Sequence, residues 1–126
     1  MRILLVDDDP DIRLLAGFVL EQAGHSVVFA ESGVAGIHAA ETDDFDVVLL
    51  DYLLGDMSGA DVLDALLAAR PARPVLFLTG AEDPAAVDAL RAAGAAGVIA
   101  KPFDPERLAD DIERILRSHR PGAAPR

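Results

Sequence analysis

Five short apolar runs, each about as long as one β-strand, alternate along this chain with longer helical stretches. Runs such as Ile3–Val6 and Val47–Leu50 are apolar at every position. This pattern is typical of strands in a parallel sheet whose two faces are both covered by helices. The predicted strands are Arg2–Asp7, Ser26–Ala30, Phe45–Asp51, Pro74–Thr79 and Gly97–Lys101.

The first predicted helix carries both a start and a stop signal. Asp9 followed by Pro10 is a good N-cap and first-turn pair, and Gly24 suits the position just after the last turn. Apolar residues recur between them at helical spacing and predict a buried stripe. The members of this stripe are Ile12, Leu15, Ala16, Val19 and Leu20.

Four further helices are predicted from similar signals. Ser32 can cap the second helix, which extends to about Thr42, and Ala60–Arg70 form the third, which ends before Pro71. The remaining two open at Asp83-Pro84, running to Gly94, and at Asp104-Pro105, with Leu108, Ile112, Ile115 and Leu116 on one face of the fifth.

Five strand–helix units in 126 residues predict a single α/β domain with a doubly wound parallel sheet. Right-handed crossovers leave few topologies, of which the flavodoxin-like (βα)5 fold with strand order 2-1-3-4-5 is the commonest for five strands. We predict that this domain covers residues 1–117. Residues 118–126 are rich in Pro, Gly, Ala and Arg and are predicted to be a flexible tail or the start of a linker.

Composition narrows the classes of function. The chain has no cysteine, so disulfides and thiolate metal sites are excluded. A net charge of −11 argues against direct binding of nucleic acid, which relies on basic side chains. Its apolar runs are far shorter than the roughly 18 residues of a membrane span, and no secretory signal opens the sequence. We therefore expect a cytoplasmic protein without membrane or nucleic-acid contacts.

Chemically active residue types stand at the ends of four predicted strands. In doubly wound sheets the functional site lies beyond the carboxyl ends of the strands, so these residues should converge on one edge. Each has an ordinary explanation when taken alone: Asp9, for example, is a helix cap, and a single lysine is usually solvated. Their convergence favours a functional site made of Asp7-Asp8-Asp9, Asp51, Thr79 and Lys101-Pro102.

Clustered carboxylates need compensation, because two like charges about 4 Å apart repel by on the order of 4 kcal/mol at an effective dielectric constant near 20. Lys101 supplies one positive charge. A hard divalent cation could supply the rest, and carboxylates without Cys or His suit Mg²⁺ better than Zn²⁺, with Mn²⁺ as a second option. Such a site fits phosphoryl transfer to a carboxylate nucleophile.

Four sequence strings, in this order and at this spacing, resemble the response-regulator receiver domain of two-component signalling over about residues 1–117. The strings are Ile3-Leu4-Leu5-Val6-Asp7-Asp8-Asp9-Pro10, Val48-Leu49-Leu50-Asp51 with Met57-Ser58-Gly59, Phe77-Leu78-Thr79-Gly80, and Lys101-Pro102-Phe103. The resemblance implies a phosphorelay switch, favoured here as a single-domain regulator, that changes conformation to control a downstream protein or its own dimerisation.

The resemblance also implies roles for individual residues. Asp51 would accept the phosphoryl group from a histidine kinase or a histidine phosphotransfer protein. Asp8 and Asp51 would ligate Mg²⁺ directly, Asp7 would act mainly through a metal-bound water, and the backbone carbonyl of Leu53 would add a third protein ligand.

The remaining implied roles concern the switch. Thr79 would turn its hydroxyl to the phosphoryl group, and Lys101 would pair with a phosphoryl oxygen. A cis peptide is expected between Lys101 and Pro102, although only about 5–6% of X–Pro bonds are cis. The domain would catalyse nothing beyond phosphorylation and dephosphorylation of its own Asp51.

Three departures from the family pattern stand out. Gly55 occupies the position of a usual proline, so the loop after Asp51 should be less restrained. Val98 replaces the usual switch aromatic, so the familiar inward movement of that ring cannot operate. Leu53 and Ala81 are both apolar where relatives can orient an attacking water, which predicts slow self-dephosphorylation.

Three alternatives compete with this interpretation. A phosphatase of the haloacid-dehalogenase type would use Asp7 and Asp9 but leaves Asp51 unexplained. A flavin- or nucleotide-binding module would need small residues where Asp7-Asp8-Asp9 stand. A pseudo-receiver that only docks partners would fit Val98 and Gly55. The histidines, His25, His38 and His119, do not converge, and we expect them to be solvated.

Overall fold

The computed structural model describes residues 1–80 and 84–119, in which five strands and five helices alternate. The strands are β1 (Arg2–Val6), β2 (Ser26–Ala30), β3 (Val47–Asp51), β4 (Val75–Thr79) and β5 (Gly97–Ala100). The helices are α1 (Pro10–Gln22), α2 (Gly33–Thr42), α3 (Gly59–Ala69), α4 (Pro84–Ala92) and α5 (Leu108–Ser118). The predicted tail, 118–126, begins with a residue that still belongs to α5, and 120–126 lie outside the described residues.

All strands pair in parallel in the order β2-β1-β3-β4-β5, which confirms the predicted fold class and strand order. The register pairs Val6 of β1 with Leu50 of β3, and Asp51 with Leu78 of β4. The carboxyl ends of the three central strands therefore meet at one edge of the sheet. This edge is where the candidate site residues were predicted to converge.

Each face of the sheet carries its own buried core. Alternate strand residues point to opposite faces, so the central strands need apolar residues at every position. One core joins Leu4, Val6, Val48, Leu50 and Phe77 to residues of α2, α3 and α4. The other joins Ile3, Leu5, Leu49, Leu76 and Leu78 to residues of α1 and α5.

Helix termini follow local sequence signals. The side chains of Asp9, Ser32 and Ser58 accept hydrogen bonds from backbone amides in the first turns of α1, α2 and α3. Gly24 and Gly94 follow α1 and α4 with φ of 93° and 112°, a conformation that side chains disfavour. The predicted role of Gly24 as the stop of the first helix is confirmed.

The start of the fifth helix was predicted too early. Asp104 and Pro105 form a separate turn, in which Asp104 Oδ1 accepts from the Glu106 amide at 3.0 Å and the Asp104 carbonyl accepts from the Arg107 amide at 3.0 Å. These amides are thus satisfied locally, and α5 begins at Leu108. Its apolar face packs against the sheet as predicted, with Ile112 fully buried.

The apolar stripe of α1 was predicted only in part. Ala16 and Leu20 are fully buried, but Leu15 is 42% exposed. Gly17 takes the inner position instead, where an added methyl group would lie 2.5 Å from the ring of Phe29. The helix therefore sits close to β2, and Leu14, Leu15 and Phe18 are left on the outside.

His25 was wrongly expected to be solvated. Its side chain is 10% exposed, its Nδ1 lies 3.0 Å from the Met1 amino nitrogen, and its Nε2 lies 3.8 Å from Glu113 Oε1. The turn before β2 folds this ring against the start of β1 and α5. Within residues 1–80 and 84–119, no helix is long and apolar enough to cross a membrane.

Candidate functional site

Three carboxylates meet at the carboxyl edge of the sheet. Asp7 follows β1 and is fully buried, Asp51 ends β3 and is 8% exposed, and Asp8 is exposed beside them. One oxygen from each of the three lies within 4.8 Å of the others. The adjacency of β1 and β3 in the sheet creates this cluster, as the strand order predicted.

Lys101 lies between two of these carboxylates. Its Nζ is 2.8 Å from Asp7 Oδ2 and 3.3 Å from Asp51 Oδ1. Burial lowers the pKa of Lys101, but the hydrogen bond and charge of Asp7, followed by those of Asp51, outweigh this effect and leave its pKa raised. The lysine is therefore charged at neutral pH and offsets part of the carboxylate repulsion.

The environment of Asp51 disfavours its charged form, whereas that of Lys101 favours it. Burial raises its pKa most, the charge of Asp7 raises it further, and Lys101 partly opposes both. A backbone hydrogen bond from Leu53 also favours the ionised carboxylate. The site thus holds a carboxylate whose negative charge is costly and only partly compensated, a condition that an additional cation would relieve.

Both the side chain and the backbone carbonyl of the buried Asp7 accept hydrogen bonds. Its Oδ1 accepts from the Asp9 amide at 2.9 Å, and its carbonyl accepts from Arg13 Nη1 at 2.8 Å. Sequence reasoning missed Arg13. The available signal was its place in the first turns of α1, four residues after the cap Asp9, where a long side chain can reach back to the β1 end.

Thr79 and Lys101 come from neighbouring strand ends. Thr79 ends β4, is 4% exposed, and its carbonyl accepts from the Lys101 amide at 2.9 Å. The peptide bond between Lys101 and Pro102 is cis, which confirms that prediction. The fold therefore brings Asp7, Asp8, Asp51 and Lys101 together and places Thr79 at the strand end beside Lys101.

The loop after Asp51 is closed at its base. Leu53 and Ser58 form an isolated antiparallel bridge, and the Gly59 amide donates to the Tyr52 carbonyl at 2.8 Å. The side chain of Leu53 is 75% exposed, so packing does not fix it. Gly55 has open space where a side chain would be.

A second residue missed from sequence ties the tip of this loop to α2. Both oxygens of Asp56 accept hydrogen bonds from the first amides of that helix, Gly33 at 2.9 Å and Val34 at 3.0 Å. These bonds, Val34 first, hold the pKa of Asp56 below its usual range. The loop that contains Gly55 is therefore attached to the fold through the next residue.

Val98, the second departure from the family pattern, lies on β5. Val98 stands opposite Phe77 in the β4–β5 register and packs, half-buried, against the core on the α4 face. Tyr52 follows Asp51, and its ring meets Phe77 edge-on with centroids 6.0 Å apart. Ala81 lies outside the described residues.

The donor set fits a hard divalent cation. Carboxylate oxygens at this spacing, with no cysteine in the chain, match the preferences of Mg²⁺ and Mn²⁺. The buried Asp7, the largely buried Asp51 and the single Lys101 leave a net negative charge that such an ion would balance.

Residues 3–113 match the family described as the response regulator receiver domain. The chain belongs to this family. Curated proteins similar to this receiver domain include the transcriptional activator protein IrlR of Burkholderia pseudomallei, which is 38% identical over 117 residues. That alignment covers 93% of this chain and 51% of IrlR. The probable transcriptional regulatory protein TcrX of Mycobacterium tuberculosis is 36% identical, covering 91% of this chain and 49% of that protein.

Solved structures of response regulators are also similar to this chain. A CheY-like receiver domain protein from Methanospirillum hungatei has a TM-score of 0.85 at 32% identity, covering 93% of this chain and 94% of that one. Chemotaxis response regulator CheY4 of Vibrio cholerae has a TM-score of 0.86 at 32% identity, covering 91% and 98%. The receiver domain spans about half the length of the curated relatives it matches first.

Membership settles the general function. This chain is a receiver domain of two-component response regulators, a class of phosphorylation-controlled switches. Receiver domains bind Mg²⁺ through an acidic aspartate cluster, and such a cluster is present here.

Proposed function

We propose that this receiver domain accepts a phosphoryl group on Asp51 in a Mg²⁺-dependent reaction. The observation that carries the proposal is the position of Lys101. Its ammonium group lies within 3.3 Å of both Asp7 and Asp51, and Asp8 stands within reach of the same space. A nucleophilic carboxylate, a cation beside it and two further carboxylates are what phosphoryl transfer to an aspartate requires.

The transfer step follows from this geometry. An oxygen of ionised Asp51 attacks phosphorus, the phosphorus–nitrogen bond of a phosphohistidine breaks, and its electron pair returns to the imidazole. The released imidazole then takes a proton from solvent. The pKa of Asp51 is raised, first by burial, so its ionised carboxylate is a stronger nucleophile than that of an exposed aspartate.

Asp8 and Asp51 would bind the metal directly, with Asp7 acting mainly through water and the Leu53 carbonyl as a further ligand. Bound Mg²⁺ supplies charge neutralisation for the transferring phosphoryl oxygens. Mn²⁺ satisfies the same donor set. Asp7, buried and hydrogen-bonded to the Asp9 amide, stays in place as the other groups rearrange.

Two further residues would read the phosphorylated state. Lys101 is close enough to Asp51 to pair with a phosphoryl oxygen after small rotations. Thr79 ends the neighbouring strand and would turn its hydroxyl to the same group. Pro102 and Val98 complete this switch region, with Val98 too small to act as the usual aromatic ring.

The partners proposed are a histidine kinase or a histidine phosphotransfer protein as phosphodonor, and a downstream protein or a second copy as output. We place the protein in the cytoplasm, where such kinases expose their phosphohistidine, without direct nucleic-acid contact by residues 1–117. Beyond modifying its own Asp51, the domain would have no enzymatic activity.

Mass spectrometry of the protein after incubation with Mg²⁺ and a small phosphodonor tests the proposal. We expect a mass gain of one phosphoryl group in wild type, lost when Mg²⁺ is chelated and absent in Asp51→Asn. The control is Asp110→Asn, which removes an exposed acid on α5 and should leave labelling intact. Sustained release of phosphate from a generic phosphate ester would instead support a phosphatase.

A further inference from the structure

Asp56 makes an unusual connection for a residue at the tip of an exposed loop. Its two carboxylate oxygens accept separately from the amides of Gly33 and Val34, the first two residues of α2. Amides in the first turn of a helix have no partners within the helix. Asp56 supplies the acceptors for these amides from a segment more than twenty residues away in the chain.

Close packing accompanies these hydrogen bonds. A methyl group built on Gly33 would lie 3.0 Å from the sulfur of Met57 and 2.9 Å from a methyl carbon of Val62. The missing side chain of Gly33 therefore allows the loop to approach α2 closely enough for Asp56 to reach its amides. Asp56 in the loop and Gly33 in α2 therefore both contribute to this contact.

The other end of the same loop touches the reacting group. The backbone of Leu53, two residues after Asp51, lies near enough to favour the ionised form of that carboxylate, and the Leu53–Ser58 bridge closes the loop at its base. The exposed Leu53 side chain gives no anchorage, and Gly55 makes no contacts where a side chain would stand. Asp56 thus supplies the hydrogen-bonded attachment of this loop to α2, next to Leu54 and Met57, which pack against the core.

We propose that Asp56 is a positioning residue for the metal site, which it serves by fixing the loop that carries Leu53. A proline at the position of Gly55 would restrain this loop. The attachment of Asp56 to α2 provides that restraint instead and holds the Leu53 carbonyl towards the carboxylate cluster. The inference rests on the proposed function, in which that carbonyl is a metal ligand. The charge of Asp56 also suits the positive end of the helix dipole.

A calorimetric Mg²⁺ titration of wild type, Asp56→Ala and Asp56→Asn tests this role. Tyr52 provides a second readout, because the chain contains one tyrosine and no tryptophan and this residue directly follows Asp51. The matched control is Ser32→Ala. It removes another cap of α2, the 3.0 Å bond from the Ala35 amide to Ser32 Oγ, and leaves the loop attached.

We expect Asp56→Ala to weaken Mg²⁺ binding about tenfold, the lower end of the range for groups that orient metal ligands. Asp56→Asn keeps one acceptor oxygen and should lose less. Ser32→Ala should bind Mg²⁺ like wild type while melting at a lower temperature. The Mg²⁺-dependent change in Tyr52 fluorescence should shift to higher concentrations in the same order as the calorimetric constants.

Equal weakening in Asp56→Ala and Ser32→Ala would overturn the inference, because it would reflect general loss of α2. Unchanged binding in both Asp56 variants would overturn it as well, and Asp56→Asn decides the matter if Asp56→Ala does not fold. Both of these outcomes leave the proposed function standing. Wild type that binds no Mg²⁺ and is not labelled by the phosphodonor would overturn the proposed function and the inference together.

Discussion

Lys101 Nζ donates to Asp7 at 2.8 Å, a shorter contact than its 3.3 Å approach to Asp51. The lysine therefore pairs more closely with the fully buried Asp7 than with Asp51, the proposed phosphoacceptor. Removing either partner of a buried pair leaves an uncompensated charge. The unmodified site thus depends on Lys101 for its stability.

Replacing Lys101 with methionine keeps much of the side-chain volume and removes the charge. We expect Lys101→Met to reduce the free energy of unfolding by on the order of 2 kcal/mol, less than for a fully buried pair because Lys101 is partly exposed. Since the pKa of Lys101 is raised, the loss should be seen from neutral pH up to about 10.

Chemical denaturation with and without Mg²⁺ measures this effect. The metal should stabilise Lys101→Met more than wild type, because it takes over the missing positive charge. Equal stabilisation of both proteins by Mg²⁺ would contradict this account of the site.

The substitution Asp51→Asn should stabilise the protein at neutral pH by on the order of 1 kcal/mol. Burial and the charge of Asp7 raise the pKa of Asp51 above its value in the unfolded chain, so its ionised form disfavours folding. This penalty develops as the pH rises above about 4, and below that pH both states of wild type are protonated.

Thermal unfolding of wild type and Asp51→Asn from pH 3 to pH 8 tests the sign of the effect. The two melting temperatures should converge towards the acid end and separate towards neutral pH, with the variant higher. If wild type melts at a higher temperature than the variant at pH 7 without metal, the ionised Asp51 carboxylate does not disfavour folding and the prediction is wrong.

Leu53→Asn should accelerate loss of the phosphoryl group by roughly threefold to tenfold. The exposed Leu53 side chain stands beside the acceptor but cannot hydrogen-bond, whereas an amide can orient the attacking water. Leu53→Ala, which changes size without adding a polar group, is the control. The measurement is the decay of labelled protein after the phosphodonor is removed, and an equal or slower rate in Leu53→Asn would sink the idea.

The outer face of α1 should contribute to recognition of the phosphodonor protein. Leu14 and Phe18 are 75% and 61% exposed, and with Leu15 and Asp11 they form an open, largely apolar surface. We expect Phe18→Ser to slow phosphotransfer from a kinase about tenfold, since exposed aromatic residues are common anchors of protein interfaces.

Labelling by a small phosphodonor should be unchanged in Phe18→Ser, because that reaction needs no protein contact. Val34→Ser is the matched control, since Val34 is 63% exposed on a different helix. Equal slowing of the kinase reaction by both variants would argue against a specific role of α1.

The strand positions and the convergence of the site were predictable from sequence for one physical reason. A parallel sheet covered on both faces makes its strands apolar throughout, and right-handed crossovers then fix which strand ends are neighbours. Asp7, Asp51, Thr79 and Lys101 needed no knowledge of side-chain contacts to be placed together. Their order along the chain and the strand order were sufficient.

Contacts between distant segments were not predictable in this way. An acid next to a glycine in a loop has many uses, so Asp56 carried no sign that it would bind the start of α2. The exposure of Leu15 depends on how closely Gly17 lets α1 approach Phe29, and the burial of His25 depends on its neighbours Met1 and Glu113. Such features arise from the packing of whole elements rather than from local pattern.

The exposed apolar residues of α1 have an evolutionary consequence. Phe18 and Leu14 contribute little to either core, so most replacements there should change stability by no more than about 0.5 kcal/mol. The residues at the strand ends have no such freedom, since each holds another in place. Mutation on this face should therefore be able to change which surfaces α1 contacts while the fold is inherited intact.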